Sequence, residues 1–286
     1  MTFEKVTIVG LGLIGGSWGM ALKRHALALR RIGFGRASTV ARALALDAVD
    51  EGTDDFDKAV EGAGLIILAA PVGAILDAIP RLRDVVASDA LVTDVGSTKQ
   101  LICERARAVF GEGPLFLGGH PLAGKERAGV ENADATLFCN ACYVLTPLVP
   151  GHLKDPRVEA FIAMISAIGA RPYFMDASRH DRALAFLSHL PQLLSTGLAG
   201  LIAEESDRAQ LPLELAATGF RDVTRLAESP YSVWRDICLT NLENIEQALD
   251  GLIEKLELMK RHLSGPELER EFQQAAKLRA KLRSAG

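Results

Sequence analysis

At 286 residues the chain has length for about two domains of roughly 150 residues each, and 49% hydrophobic with 24% charged residues is the composition of a folded globular protein, not a disordered one. With 32 Lys and Arg against 36 Asp and Glu, the net charge of −4 offers no basic field to hold nucleic acid. Four cysteines do not make a disulfide framework in so long a chain, and Met1–Lys5 leads into a strand-like run without a signal sequence, so a reducing, cytoplasmic compartment is expected.

Short β-branched apolar runs alternate with amphipathic helical stretches through the first 175 residues. They are Val6–Val9, Arg31–Gly35, Leu65–Ala69, Leu91–Thr93, Leu115–Leu117, Tyr143–Leu145 and Arg171–Met175. Such alternation predicts a mostly parallel sheet with helices on both faces. After Asp176 the strand signals stop, and helical periodicity runs through Ala177–Glu205, Pro212–Gly219, Val233–His262 and Pro266–Arg283. The expectation is an α/β fold: a doubly wound, Rossmann-type dinucleotide-binding domain over 1–175, then an all-α domain over 176–286. A shared cleft between them is the favoured place for a ligand.

The first strand runs directly into Gly10-Leu11-Gly12-Leu13-Ile14-Gly15, which opens a helix. In that context Gly10 serves the tight turn, Gly12 admits a pyrophosphate to the backbone, and Gly15 allows close helix–strand packing, while the helix N-terminus offers free N–H groups. Leu13 and Ile14 complete the expected cofactor contact. Chains that bind NAD usually place an acid at the end of the second strand to hold the ribose 2′-hydroxyl. Here Gly35-Arg36-Ala37-Ser38-Thr39 has none. Arg36 is placed to stack on adenine or pair with a 2′-phosphate, with Ser38 and Thr39 capping the next helix, which favours NADP ahead of NAD. Ala70 and Pro71 follow another strand, where small residues let a dinucleotide cross the sheet edge.

Asp94-Val95-Gly96-Ser97-Thr98-Lys99 and Gly118-Gly119-His120-Pro121-Leu122-Ala123-Gly124 both follow strands, so Ser97 and His120 should meet in one crevice near the nicotinamide. With these motifs the sequence resembles the prephenate/arogenate dehydrogenase family. The resemblance continues through Gly129–Ala133, Tyr143–Pro147, Ser188-His189-Leu190-Pro191-Gln192, Gly219–Arg225 and Trp234-Arg235-Asp236, in order and over nearly the whole chain.

The resemblance implies oxidation of a cyclohexadienol acid at its ring hydroxyl, coupled to loss of the ring carboxylate as carbon dioxide and to aromatisation. The product is 4-hydroxyphenylpyruvate from prephenate, or tyrosine from arogenate. It implies His120 as the base and Ser97 as a hydrogen-bond partner of the hydroxyl or of His120, although Ser97 also reads as N-cap of a helix Thr98–Phe110. A dianionic substrate calls for guanidinium forks. Arg225 matches the family's Thr-Arg pair, and Arg221 lies four residues earlier. His189 matches a substrate contact, and Pro191 should loosen its helix. Where the family often has a second His, this chain reads Ser188-His189-Leu190-Pro191-Gln192, which leaves the choice between prephenate and arogenate open. No metal is implied.

Two other readings compete. One is a two-domain dehydrogenase acting on a 3-hydroxy acid or imine, and the other is a dinucleotide-sensing protein without catalysis. The segment Cys139-Asn140-Ala141-Cys142 lacks a second pair at metal spacing, the tail from Lys255 to Arg283 is a solvated amphipathic helix pair, and His25, His152, His180 and His262 carry no pattern.

Ala183–Ala203 is 21 residues without a charge, long enough to span a bilayer. Its Ser188, His189, Gln192, Ser195 and Thr196 are too polar for a lipid-facing span, and a helix apolar all round belongs in a large buried core. The helical domain is small for that task, so a second subunit is expected to supply cover, as in the family's homodimers. Because the chain ends at Gly286 just after the helical domain, the expectation is that no regulatory domain is appended and that any inhibition by tyrosine is competitive.

Overall fold

The computed structural model describes residues 3–111, 114–125 and 127–285; Gly286 lies outside them. Eight strands form one sheet: β1 (Phe3–Val9), β2 (Ala28–Phe34), β3 (Glu51–Thr53), β4 (Leu65–Leu68), β5 (Leu91–Asp94), β6 (Leu115–Pro121), β7 (Cys142–Pro147) and β8 (Arg171–Phe174). Their order is β3-β2-β1-β4-β5-β6-β7-β8. All neighbours are parallel except β6 and β7, which pair antiparallel with His120 opposite Val144. The order reverses direction between β1 and β4, so the carboxyl ends of those strands open a crevice at a topological switch point.

Helices α1 (Leu13–Arg24), α2 (Ala37–Ala45), α3 (Phe56–Val60), α4 (Val72–Leu82), α5 (Gln100–Phe110) and α6 (Pro156–Ala167) cover the sheet. Strand alternation divides the core. Val6 and Ile8 of β1 and Leu65 and Ile67 of β4 face Trp18, Leu22, Phe161 and Ile165 of α1 and α6. Ile66 and Leu68 face Phe56, Ile75, Ile79, Ile102 and Phe110 of α3, α4 and α5.

Seven of the eight strands match the apolar runs. The eighth, β3, is a three-residue edge strand fixed by polar contacts: Arg30 pairs with Glu51 at 2.7 Å, and buried Arg31 pairs with Asp50 at 2.5 Å. Those charges hide it from a hydrophobic pattern.

The second half is helical throughout: α7 (Ala177–Leu184), a π turn (Ala185–His189), α8 (Leu190–Ala209), α9 (Thr218–Thr224), α10 (Tyr231–Thr240), α11 (Leu242–Arg261) and α12 (Pro266–Ala285). The π turn lies just before Pro191, which lacks the N–H that a regular helix would return to the preceding turn. Three expectations change. The run Val233–His262 breaks at Asn241 (φ −133°), whose side chain bonds outside the helix. Pro212–Gly219 is only a 3₁₀ turn, Leu213–Leu215, ahead of α9.

The third change concerns the uncharged segment, which is not buried all round in this chain. Its buried residues are Leu184 and Ala185 and then three polar ones, His189, Gln192 and Ser195, whereas Leu187 is 78% exposed and Leu201 54%.

Gly10 has φ +98°, and a Cβ there would lie 2.5 Å from the Ala69 carbonyl oxygen; a Cβ on Gly15 would lie 2.0 Å from that of Gly10, whereas one on Gly12 meets nothing within 4 Å. Gly15→Ala is therefore expected to destabilise the fold by about 2 kcal/mol or more, while Gly12→Ala leaves the melting temperature within about 2 °C of the parent. Thermal unfolding followed by circular dichroism checks both; equal melting temperatures would contradict this packing.

Candidate active site

Asp94, the last residue of β5, is fully buried and accepts from the backbone N–H of Gly119 (3.1 Å) and Gly96 (2.8 Å) and from the Lys99 ammonium. These bonds lock the turn after β5 against the strand that carries His120. Ser97 lies on that turn, half-buried. It does not cap the following helix: α5 begins at Gln100, and its first N–H groups are met by Asp181, with Lys99 N–H at 2.7 Å and Gln100 N–H at 2.9 Å. A carboxylate at a helix N-terminus outcompetes a neutral hydroxyl. The Ser97 side chain is thereby left for the crevice.

Asp181 also orders two imidazoles. Its Oδ1 lies 2.7 Å from His180 Nδ1, and His180 Nε2 lies 2.9 Å from His120 Nδ1. A carboxylate only accepts, so His180 carries its proton on Nδ1 and offers Nε2 as acceptor. His120 then donates from Nδ1, which leaves its Nε2 as a bare lone pair. Burial, with the nearby charges of His180, Lys99 and His189, holds the His120 pKa well below the usual imidazole value. The arrangement is a neutral base with a donor chain that accepts positive charge and ends on a carboxylate.

His189, at the end of the π turn, is 1% exposed, and its pKa is pushed down to about 4, by burial first and by His180 against the pull of Asp181. The Asn241 amide donates to Asp181 O (2.8 Å) and to His189 Nδ1 (3.2 Å), so His189 carries its proton on Nε2. That is why the helix breaks at Asn241. Gln192 donates to Leu226 O at 2.7 Å and so ties α8 to the turn holding Arg225.

The expected site residues thus fall into three groups. His120 and His189 come together, joined by His180, Asp181 and Asn241, and Ser97 lies on the turn that Lys99 N–H ties to Asp181; the sequence singled out none of His180, Asp181, Lys99 and Asn241 as site residues. A second group lies at the carboxyl ends of β1, β2 and β4. There Gly10, Gly35 and Ala70 line a cleft of about 270 Å³ with Val9, Phe34, Phe56 and Asp77, and Pro71 follows Ala70 into α4. The N-terminus of α1, with Gly12 at its cap and Leu13, Ile14 and Gly15 in its first turn, has no side-chain cap. Glycine-lined space against an uncapped helix N-terminus fits a dinucleotide.

Arg36 and Ser38 are exposed at the end of β2, and neither Ser38 nor Thr39 caps α2, where Arg36 holds the cap position. Arg225 belongs to the third group, lining a separate cleft with Lys125, Arg127, Asn132 and Glu228. Arg221 is turned away from that cleft, donating to Ala216 O at 3.1 Å.

Comparison with known proteins agrees with this geometry. A family model for the prephenate dehydrogenase nucleotide-binding domain matches residues 18–174, and one for the prephenate dehydrogenase dimerization domain matches residues 176–280. The prephenate dehydrogenase of Bacillus subtilis is 34% identical over 272 residues, covering 94% of this chain and 72% of that protein. The crystal structure of A. aeolicus prephenate dehydrogenase with hydroxyphenyl propionate and NAD+ superposes with a TM-score of 0.87 at 27% identity, covering 100% of this chain and 99% of that one. Synechocystis arogenate dehydrogenase superposes with a TM-score of 0.81 at 32% identity, covering 97% and 99%.

Burying His189 as the neutral form has a sign. The unfolded chain binds its proton near the ordinary value of 6.5 and the folded chain only near 4, so the unfolded state holds more protons in between, and stability is lost as the pH is lowered through that window. Replacing His189 by Phe should remove on the order of 3 kcal/mol of the stability difference between pH 7 and pH 4. Urea unfolding at the two pH values measures it, and an unchanged difference would show that His189 is protonated in the fold.

Proposed function

The chain belongs to the prephenate dehydrogenase family, and from that premise we propose that it is a dinucleotide-dependent oxidoreductase that converts prephenate to 4-hydroxyphenylpyruvate, or arogenate to tyrosine. The observation that carries this reading is the chain His120–His180–Asp181, which leaves the His120 Nε2 as a neutral lone pair on the strand next to the turn that holds Ser97.

In this reading His120 Nε2 takes the proton of the ring hydroxyl, and Ser97 orients that oxygen. His180 and Asp181 stabilise the imidazolium as it forms, and His189 adds an Nε2–H donor. A bound oxidised dinucleotide supplies the acceptor for the hydride that leaves the same carbon. The ring carboxylate departs as carbon dioxide, its bonding pair completes the aromatic ring, and the proton held by His120 returns to the phenolic oxygen, so no net proton is consumed. Arg225 holds substrate carboxylate through its guanidinium fork; Arg221, tied to Ala216, is a weaker candidate for the same role.

The cofactor reading keeps NADP ahead of NAD. Exposed Arg36 stands where a 2′-hydroxyl-binding acid would stand, and Gly10, Gly12, Leu13, Ile14, Gly15, Ser38, Ala70 and Pro71 complete the contact surface. Residues 1–175 form the dinucleotide domain and 176–286 the helical domain of a cytoplasmic enzyme.

Among the described residues the apolar cluster within the helical half is small, with Ala185, Ile237, Ile245 and Ala248 buried, while Leu187, Leu215, Tyr231 and Leu239 are each more than two-thirds exposed. A second copy covers that surface. Light scattering at micromolar concentration should give a dimer mass; a monomer would refute this assembly.

One kinetic matrix tests the chemistry, with prephenate and arogenate each assayed with NAD and NADP. Turnover with at least one pair is expected. His120→Asn should lower kcat/KM by about 10²–10⁴ with dinucleotide affinity changed by less than about threefold. Because burial depresses the His120 pKa, kcat/KM should rise with pH to a plateau reached below the ordinary imidazole value. Near-normal turnover by the Asn variant would sink the assignment.

A further inference from the structure

The third cleft has a charge pattern that the hydride chemistry does not require. It encloses about 390 Å³ between the segment that leaves β6 and the 3₁₀ turn Arg225–Glu228, and its lining holds Lys125, Arg127 and Arg225 against one acid, Glu228, with the Asn132 amide. Lys125 is fixed in place, its ammonium 3.1 Å from the Asp134 carboxylate and donating to Asn132 O at 3.1 Å. The segment is itself anchored on the dinucleotide helix, where Asp134 N–H donates to Ser17 Oγ of α1 at 2.9 Å. Five residues separate His120 from Lys125, so the chain places them within about 18 Å.

The substrate of the proposed reaction carries its hydroxyl on one ring carbon and both the ring carboxylate and the acidic side chain on the carbon directly across the ring. An enzyme that holds the hydroxyl at His120 therefore meets all the substrate's negative charge at the opposite end, one ring-width away. One guanidinium fork matches one carboxylate, so Arg225 alone leaves the second unpaired.

We propose that Lys125 and Arg127 are substrate-binding residues which, with Arg225, hold the two carboxylates at the end of the ring remote from His120. This rests on the dehydrogenase reading above. Among the described residues three cations stand at the cleft against Glu228 and the Asp134 that pairs with Lys125, a net positive charge suited to an anionic substrate end, and the anchoring of the segment on α1 fixes that end relative to the glycine loop.

Steady-state kinetics of the full-length protein tests the proposal, using K125M, R127M and the double variant, with the cyclohexadienol acid varied at saturating dinucleotide and then the reverse. Each single change should raise KM for the acid about 10-fold and the double change further, with kcat within about threefold and dinucleotide KM unchanged. The conservative K125R variant should recover most of the loss. An acid KM unchanged in the double variant, while the unaltered protein turns over, overturns the proposal alone. A rise confined to dinucleotide KM also overturns it, assigning these cations to the cofactor phosphates. If the unaltered protein turns over neither acid, the underlying reading falls and this one with it.

Discussion

The side chain of Asp181 is 1% exposed, and a carboxylate at that depth is tolerated only when its lone pairs are filled. Three donors fill them: the backbone N–H groups of Lys99 and Gln100 and the Nδ1–H of His180. The Asp181 backbone carbonyl accepts from Asn241, which in turn fixes the tautomer of His189. One residue of the helical half thus caps a helix of the sheet domain, sets the proton positions on His180 and through it on His120, and determines where α10 ends. Domain docking and imidazole orientation are one interaction here.

The same docking explains the inverted helix α7–α8. A helix of a small domain ordinarily turns its leucines inward. Here, after Leu184 and Ala185, the buried positions are His189, Gln192 and Ser195, and the π turn places His189 where Asn241 meets it. Gln192 then bonds Leu226 and holds the turn that carries Arg225. Of the polar residues that made the segment unsuited to lipid, His189 joins the Asp181 network through Asn241, and Gln192 ties the helix to the turn after α9.

What was legible in the sequence was local. Buried parallel strands read as continuous apolar runs, and the glycine turn is fixed by contacts such as Gly15 to Gly10, five residues apart. What was not legible depended on distant partners. Arg179-His180-Asp181-Arg182 reads as a solvated helical face, and His180 and Asp181 are buried only because α7 meets a helix N-terminus 81 residues earlier. Asn241 sits within an unbroken helical pattern and breaks it for a bond to Asp181. The Ser97 cap failed for the same reason: a distant carboxylate displaced the adjacent hydroxyl. Resemblance to a family pointed to His120, Ser97 and His189 but not to Asp181, which joins His120 to His189 through His180 and Asn241.

A wider regularity follows from where carboxylates meet helix N-termini. Among the six helices on the sheet, α3 is capped by Asp55, α6 by Asp155 and α5 by Asp181, and the first turn of α4 is met by Asp236, which accepts from Gly73 N–H at 3.0 Å. Two of the four acids, Asp181 and Asp236, come from the helical half. Only α1 and α2 have neither a side-chain cap nor an acid in the first turn nor a carboxylate from another element on their first N–H groups. Both begin at the carboxyl ends of β1 and β2, and Arg36 stands at the cap of the second. Each uncapped N-terminus keeps a partial positive charge for an anion. A dinucleotide with a pyrophosphate and a 2′-phosphate offers two such anions, whereas one with a free 2′-hydroxyl offers only one. The helical half thus caps α4 and α5, while the uncapped ends of α1 and α2 stand beside the cleft that Gly10 and Gly35 line.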